Sequence, residues 1–283
     1  MPDQSIAPAA NAGGRRALAA AGLAALLLLS LGLAGDRITS TSTSTSARAG
    51  IRLDVPQLML WAWDRDDDLR FIDTADTGVA YLAATLTLRG EDVVLTPRHN
   101  PLTLPPDVRR VAVVHVETDR GAPPVQSSVQ LRRFVEAIAA VGEAAPHRVL
   151  QVDYEAPASQ RGFLIDTLAA LRSRLPGAAV SVTGLASWCF NESWTGRLDA
   201  DEIVPMLFRM GYDGRRLRTH LAGGGDFRGA QCRSSLGVAT DELPGALPPG
   251  KRVYAFSPRR WTLETYQMVR ARISQWSHDQ PSD

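Results

Sequence analysis

From residue 56 onward the chain alternates short apolar runs with stretches of helical periodicity, and that alternation restricts the fold more than any other feature. The runs fall at 58–63, 78–84, 111–117, 149–154, 179–185, 203–208, 235–239 and 252–256, each the length of a strand. Between them, Leu131, Phe134, Val135, Ile138 and Val141 repeat at helical spacing. So do Phe163, Ile165, Leu168, Ala169 and Leu171, which stop before Pro176-Gly177. Leu217 and Leu221 mark a shorter helix ended by Gly223-Gly224-Gly225, and Leu263, Tyr266, Val269, Ile273 and Trp276 mark a last one. The second connection is irregular, because Leu86-Thr87-Leu88 and Val93-Val94-Leu95 read as an inserted hairpin. Eight strands alternating with helices predict an α/β protein, a single (β/α)8 TIM barrel over residues 51–283. An open doubly wound sheet is the runner-up, but no Gly-rich phosphate-binding turn follows any run.

The first fifty residues read differently. Arg15-Arg16 precede an apolar run over 17–34 that ends in small residues, the pattern of an export signal. Residues 1–34 are therefore expected to be a signal peptide cleaved after Ala34, or a retained inner-membrane anchor, since the run approaches spanning length. Residues 35–50 carry an alternating Ser/Thr tract, expected to be a flexible linker. Both options place the barrel outside the cytoplasm, in the periplasm or tethered at the membrane. A net charge of +1 lacks the basic excess that nucleic-acid binding normally shows. The two cysteines, Cys189 and Cys232, permit a disulfide in an exported protein. They follow one strand's top and precede another's start, points that tend to lie at opposite ends of a barrel, so a bond and two buried thiols both remain open.

Barrel chemistry sits at the C-terminal ends of the strands. There the fourth run reads Val149-Leu150-Gln151-Val152-Asp153-Tyr154-Glu155. Side chains alternate across a strand, so Gln151, Asp153 and Glu155 share one face and Leu150, Val152 and Tyr154 the other. Two acids on an inward face are costly unless paired or used, and close carboxylates push one another toward a raised pKa. Glu155 is the candidate general acid and Asp153 its support. Other strand ends contribute Trp61, Trp63 and Asp64, then His115 and Glu117, then Trp188, then Met206, Phe208 and Arg209, then Asp241 and Glu242. Glu117, Asp241 and Glu242 are the further candidates for a second carboxylate. The aromatic residues, with Asp64, His115, Met206 and Arg209, are candidate substrate contacts. An Arg209 bond to Asp153 or Glu155 would mark a structural ion pair instead. Asp66, Asp67 and Asp68 read as a solvated loop. No metal or cofactor is expected, because His115 is the only histidine in a predicted strand.

Leu150-Gln151-Val152-Asp153-Tyr154-Glu155 resembles the fourth-strand run of chitinase-like glycoside hydrolases, and Pro205-Met206-Leu207-Phe208-Arg209 resembles their sixth-strand run. That resemblance implies a TIM barrel in which Glu155 is the acid/base and Asp153 orients the substrate's N-acetyl group. The chain departs from the pattern at Val149, Gln151, Phe208 and Arg209, which removes partners that substrate-assisted hydrolysis relies on. Leu185-Ala186-Ser187-Trp188-Cys189 and Val204 through Gly211 are similar to a family of exported bacterial barrels, domain of unknown function 3142, over roughly residues 56–257. That resemblance supports the barrel and implies no activity.

Two functional readings follow. One is a glycoside hydrolase acting on an envelope or extracellular poly- or oligosaccharide by general acid/base catalysis. The other is a non-catalytic glycan-binding barrel in envelope polysaccharide assembly, which needs the same aromatic rim but no proton donor.

Overall fold

Each apolar run becomes a strand. The computed structural model describes residues 53–278, so the expected leader and linker lie outside the described residues. In chain order the elements are β1 Leu58–Ala62, β2 Asp67–Asp68, β3 Thr77–Arg89, β4 Asp92–Pro97, β5 Leu102–Thr103, β6 Arg110–Thr118, α1 Ser128–Ala144, β7 Val149–Asp153, α2 Arg161–Arg174, β8 Ala179–Leu185, α3 Ala186–Asn191, β9 Glu202–Met206, α4 Gly214–Ala222, β10 Ser235–Ala239, β11 Arg252–Phe256 and α5 Leu263–His278. The sheet order β1-β11-β10-β9-β8-β7-β6-β3 closes through a parallel β1–β3 pairing. The result is the expected eight-stranded parallel barrel of the TIM type.

Three connections carry no α-helix: β1 to β3, β3 to β6, and β10 to β11. In the second, β3 runs beyond the barrel and folds back antiparallel onto β4, with Ala84 opposite Pro97 and Arg89 opposite Asp92. The inserted hairpin is thus an extension of a barrel strand. Gln130 ties it to α1, donating to the carbonyls of Gly90 and Asp92, while Ser127 caps the helix by accepting from the Gln130 amide. β2 and β5 form a separate two-stranded sheet. There Asp67 is buried and accepts from the Trp261 amide, so this acid is a packing element and not part of a solvated loop. Among the described residues no helix is long and apolar enough to cross a membrane.

The strand faces sort as period-two alternation requires. Outward residues such as Leu58, Leu60, Leu150, Val152 and Tyr154 join the core shared with the helices. Inward Met59, Trp61, Val113, Val149, Val204 and Tyr254 fill the barrel. Gly237 makes room for Trp61, since a Cβ there would lie 2.8 Å from the indole. The interior also carries a polar column. Trp61 donates its indole N–H to Gln151 (2.7 Å), Gln151 donates to Ser181 (3.1 Å), and Ser181 donates to Glu202 (2.9 Å). Tyr254 donates to the same Glu202 oxygen at 2.9 Å, and Arg252 pairs with the other at 2.5 Å. Glu202 is fully buried, and breaking such a pair costs about 3–5 kcal/mol because a bare charge stays inside.

Cys189 and Cys232 form a disulfide. The expected separation does not arise because α3 and the turn at 230–232 both lie against β9. The segment after α4 also runs beside α3, with the Arg228 amide donating to the Cys189 carbonyl. The bond closes a 43-residue separation, which chain entropy values at about 4 kcal/mol. A Cys189→Ser/Cys232→Ser double variant is expected to lose roughly that amount in urea unfolding. Equal midpoints and slopes for the two proteins would show that the bond adds nothing.

Candidate functional site

Residues two apart on the same strand share its inward face, and this is how the barrel's C-terminal rim is built. Trp61 and Trp63 come from β1 and the residue just past it. His115 comes from β6, Asp153 and Glu155 from the end of β7, and Met206 and Phe208 from the end of β9. With Thr183 of β8 and Phe256 of β11, these side chains line one cavity of about 190 Å³. Trp61 is its floor, almost wholly buried and held by Gln151. Trp63, Phe208 and Phe256 form aromatic walls: Phe208 stacks on Phe256 at 5.7 Å, and Trp63 meets Phe256 edge-on at 6.3 Å.

The charged side of the cavity follows from strand register. His115 lies directly across from Asp153 in the β6–β7 pairing. Its Nδ1 stands 2.7 Å from Asp153 Oδ2, and its Nε2 stands 3.6 Å from Glu117 Oε1. Thr183 donates its hydroxyl to the other Asp153 oxygen. Both Asp153 oxygens are therefore engaged, and the side chain is nearly buried. Burial works against the His115 cation, but the Asp153 hydrogen bond and the charges of Asp153, Glu117 and Glu155 outweigh it and raise the imidazole pKa. Glu155 is solvent-exposed at the rim, but partial desolvation raises its carboxyl above the ordinary 4.5, the Asp153 charge adds to the rise, and His115 offsets part of it. Glu155 is thus a carboxyl whose pKa is raised above its ordinary value, beside one fixed as a hydrogen-bond acceptor.

The other residues singled out from the sequence lie elsewhere. Asp64 accepts from the His99 and Asn100 amides and anchors the chain returning from β4. Trp188 is buried against Trp194, 4.9 Å away, because α3 begins one residue past β8 and turns the indole outward. Arg209 pairs with Asp241 at 3.1 Å and touches neither Asp153 nor Glu155 in any contact among the described residues. Glu242 accepts from the Arg209 amide and the Arg218 guanidinium, each at 2.9 Å. Asp241 and Glu242 are therefore committed to arginines on a neighbouring part of the rim. Glu117 stands beside His115 with its side chain 59% exposed. Thr183 and Phe256 were not singled out. Thr183 had a signal in the alternation of Ser181 and Thr183 along the fifth run, while Phe256 ends an apolar run with nothing to distinguish it. Among the described residues no cluster of His, Cys, Asp and Glu has a metal-holding arrangement.

No family model matches the chain, so the resemblance to the exported family of unknown function rests on the quoted residues alone. No curated protein matches it. Among solved structures it is similar to a protein from Streptomyces coelicolor provisionally described as chitinase A, at 11% identity and a TM-score of 0.48, covering 78% of this chain and 97% of that one. The barrel assignment rests on the chain's own closed strand pairing.

The raised His115 pKa has a sign that can be checked. The imidazolium's contribution to stability is fully present below the unfolded value near 6.5 and is lost as pH rises through the folded pKa. In an Asp153→Asn variant the His115 titration midpoint, followed by NMR, is expected to fall, and the extra stability on the acid side to shrink. A midpoint that does not move would show that Asp153 is not the controlling partner.

Proposed function

We propose that this protein cleaves a glycosidic bond in an extracellular or envelope poly- or oligosaccharide, with Glu155 as the general acid. The observation that carries the reading is Glu155 itself. It is a carboxyl with a raised pKa at the mouth of an aromatic-walled cavity, two residues beyond an acid whose own oxygens are occupied. Aromatic faces suit the apolar faces of pyranose rings, and a leaving sugar oxygen requires a proton donor, a role that a raised carboxyl pKa favours. Glu155 gives its proton to the glycosidic oxygen, and the bond from that oxygen to the anomeric carbon breaks with its electron pair going to oxygen. The leaving sugar departs as an alcohol. A water oxygen bonds the anomeric carbon, and its proton passes to a carboxylate and returns through solvent to Glu155. Glu117 is our choice for that base. Of the second-carboxylate candidates it is on the His115 side of the rim, largely exposed, and without an arginine partner among the described residues. Asp153, fixed by His115 and Thr183, holds the imidazole and the substrate edge in place. The expected export signal would put this reaction outside the cytoplasm.

Glu155→Gln is expected to fold as the parent does and to lose about 10²- to 10⁴-fold in hydrolysis of its oligosaccharide substrate. Because the acid must start protonated, parental activity is expected to fall as pH rises through the raised Glu155 pKa. Unchanged hydrolysis in Glu155→Gln sinks the acid assignment. Oligosaccharides that bind the parent without any being cleaved would establish the non-catalytic glycan-binding barrel instead.

A further inference from the structure

A closed barrel has no sheet edge, but the extension of β3 creates one. β4 pairs with β3 along one side only, so among the described residues it is the free edge of the barrel sheet. All of its residues but Val93 are exposed. Val94 and Leu95 are 49% and 42% exposed, and Val125 and Val129 are 59% and 40% exposed. The two valines adjoin the strand: the Val125 amide donates to the Gly90 carbonyl, and Gln130, next to Val129, donates to the Asp92 carbonyl. Half of the exposed large apolar side chains among the described residues therefore gather at this edge. A soluble surface rarely concentrates them so without a partner.

The backbone limits how the edge can be used. The Arg98 amide donates back to the Ala83 carbonyl. Hydrogen-bonding groups alternate sides along a strand, so those of Val94 and Thr96 also face β3, and those of Val93, Leu95 and Pro97 face outward. Proline has no N–H, so the edge offers the amides of Val93 and Leu95 and the carbonyls of all three. No charged residue lies between Asp92 and Arg98 to guard the strand.

Charge indicates the partner. Glu91 and Asp92 make one end of the edge acidic, and Arg98 makes the other basic. The carbonyls of Ala62, Arg65 and Asn100 hold the Arg98 guanidinium, which fixes its charge at that end. A strand with opposite charges at its ends is complementary to its own antiparallel copy. A two-fold axis at Val94 or Leu95 lets both outward amides meet β4 carbonyls of the other copy. The axis at Leu95 also sets Asp92 opposite Arg98.

We propose that β4 is a self-association surface, through which two copies of this chain pair edge to edge around a two-fold axis at the middle of the strand. The strands β6, β3 and β4 of each copy then form one continuous sheet, and the apolar side chains at the edge are covered. This inference is independent of the carbohydrate reading.

Disulfide trapping tests it, because a residue on the axis lies beside its own copy, close enough to be bridged. No free cysteine is present among the described residues to interfere. Full chains carrying Val94→Cys, Leu95→Cys or, as a fully exposed control away from the edge, Tyr212→Cys are oxidised with copper phenanthroline. Val94→Cys or Leu95→Cys is expected to form covalent dimer at least about tenfold faster than Tyr212→Cys. In sedimentation velocity the parent is expected to dimerise in the micromolar range, as suits a small interface, and Leu95→Lys to weaken that dimer at least about tenfold. Leu95 is exposed, so Leu95→Lys is expected to keep the parental circular dichroism and melting temperature. A parent that stays monomeric to about 100 µM, or trapping at the edge no faster than at Tyr212, overturns the proposal. So does a dimer that Leu95→Lys leaves unchanged. A monomer whose Val93 and Leu95 amides resist hydrogen exchange also overturns it, and assigns the edge to another segment of the same chain.

Discussion

The rim depends on how the barrel is filled beneath it. A closed cylinder of eight strands has an interior that only its own inward side chains can occupy, and here those include a fully buried glutamate. Glu202 is tolerable because Arg252, Tyr254 and Ser181 all reach it, and Ser181 is in turn fixed by Gln151. Gln151 is the joint of the column, accepting from Trp61 and donating to Ser181 at once. A carboxylate at that position could not donate to Ser181 and would add a second negative charge near Glu202. This gives a physical reason for glutamine where the chitinase-like run has an acid. The same strand face then presents Asp153 and Glu155, so one two-residue period fixes both the pocket floor and the acids above it.

The charged edge of the pocket works as a balance. His115 sits among three carboxylates and is bonded most directly to Asp153. Asp153 repels charge on Glu155 and so raises its pKa, while the imidazole that Asp153 holds lowers it. Desolvation is the largest of these effects, and the Glu155 pKa stands above its ordinary value. Thr183 adds a donor to the second Asp153 oxygen. The uncharged walls, Trp63, Phe208 and Phe256, supply contact area without disturbing that balance.

Much of this was legible in the residues because a barrel obeys a simple period. The eight runs became the eight strands, and the inward pairs 61/63, 115/117, 153/155 and 206/208 followed from alternation once the strand ends were placed. What stayed hidden required contacts between distant segments. Trp188 looked like a rim residue until α3, starting at Ala186, rotated it onto Trp194. Asp241 and Glu242 looked available until Arg209 and Arg218, far away in sequence, claimed them. The disulfide was undecided because nothing in the sequence shows that the segment after α4 runs beside α3. Thr183 was missed because a β-branched polar residue fits any strand, whatever it bonds.

The most direct measurement is the titration of Glu155 itself, by side-chain-labelled glutamate NMR with the resonance assigned against Glu155→Gln. A midpoint clearly above 4.5 is expected if burial and Asp153 hold the carboxyl in its acid form. A midpoint at or below 4.5 would mean that Glu155 is ionised wherever the protein works, and would contradict its role as the proton donor.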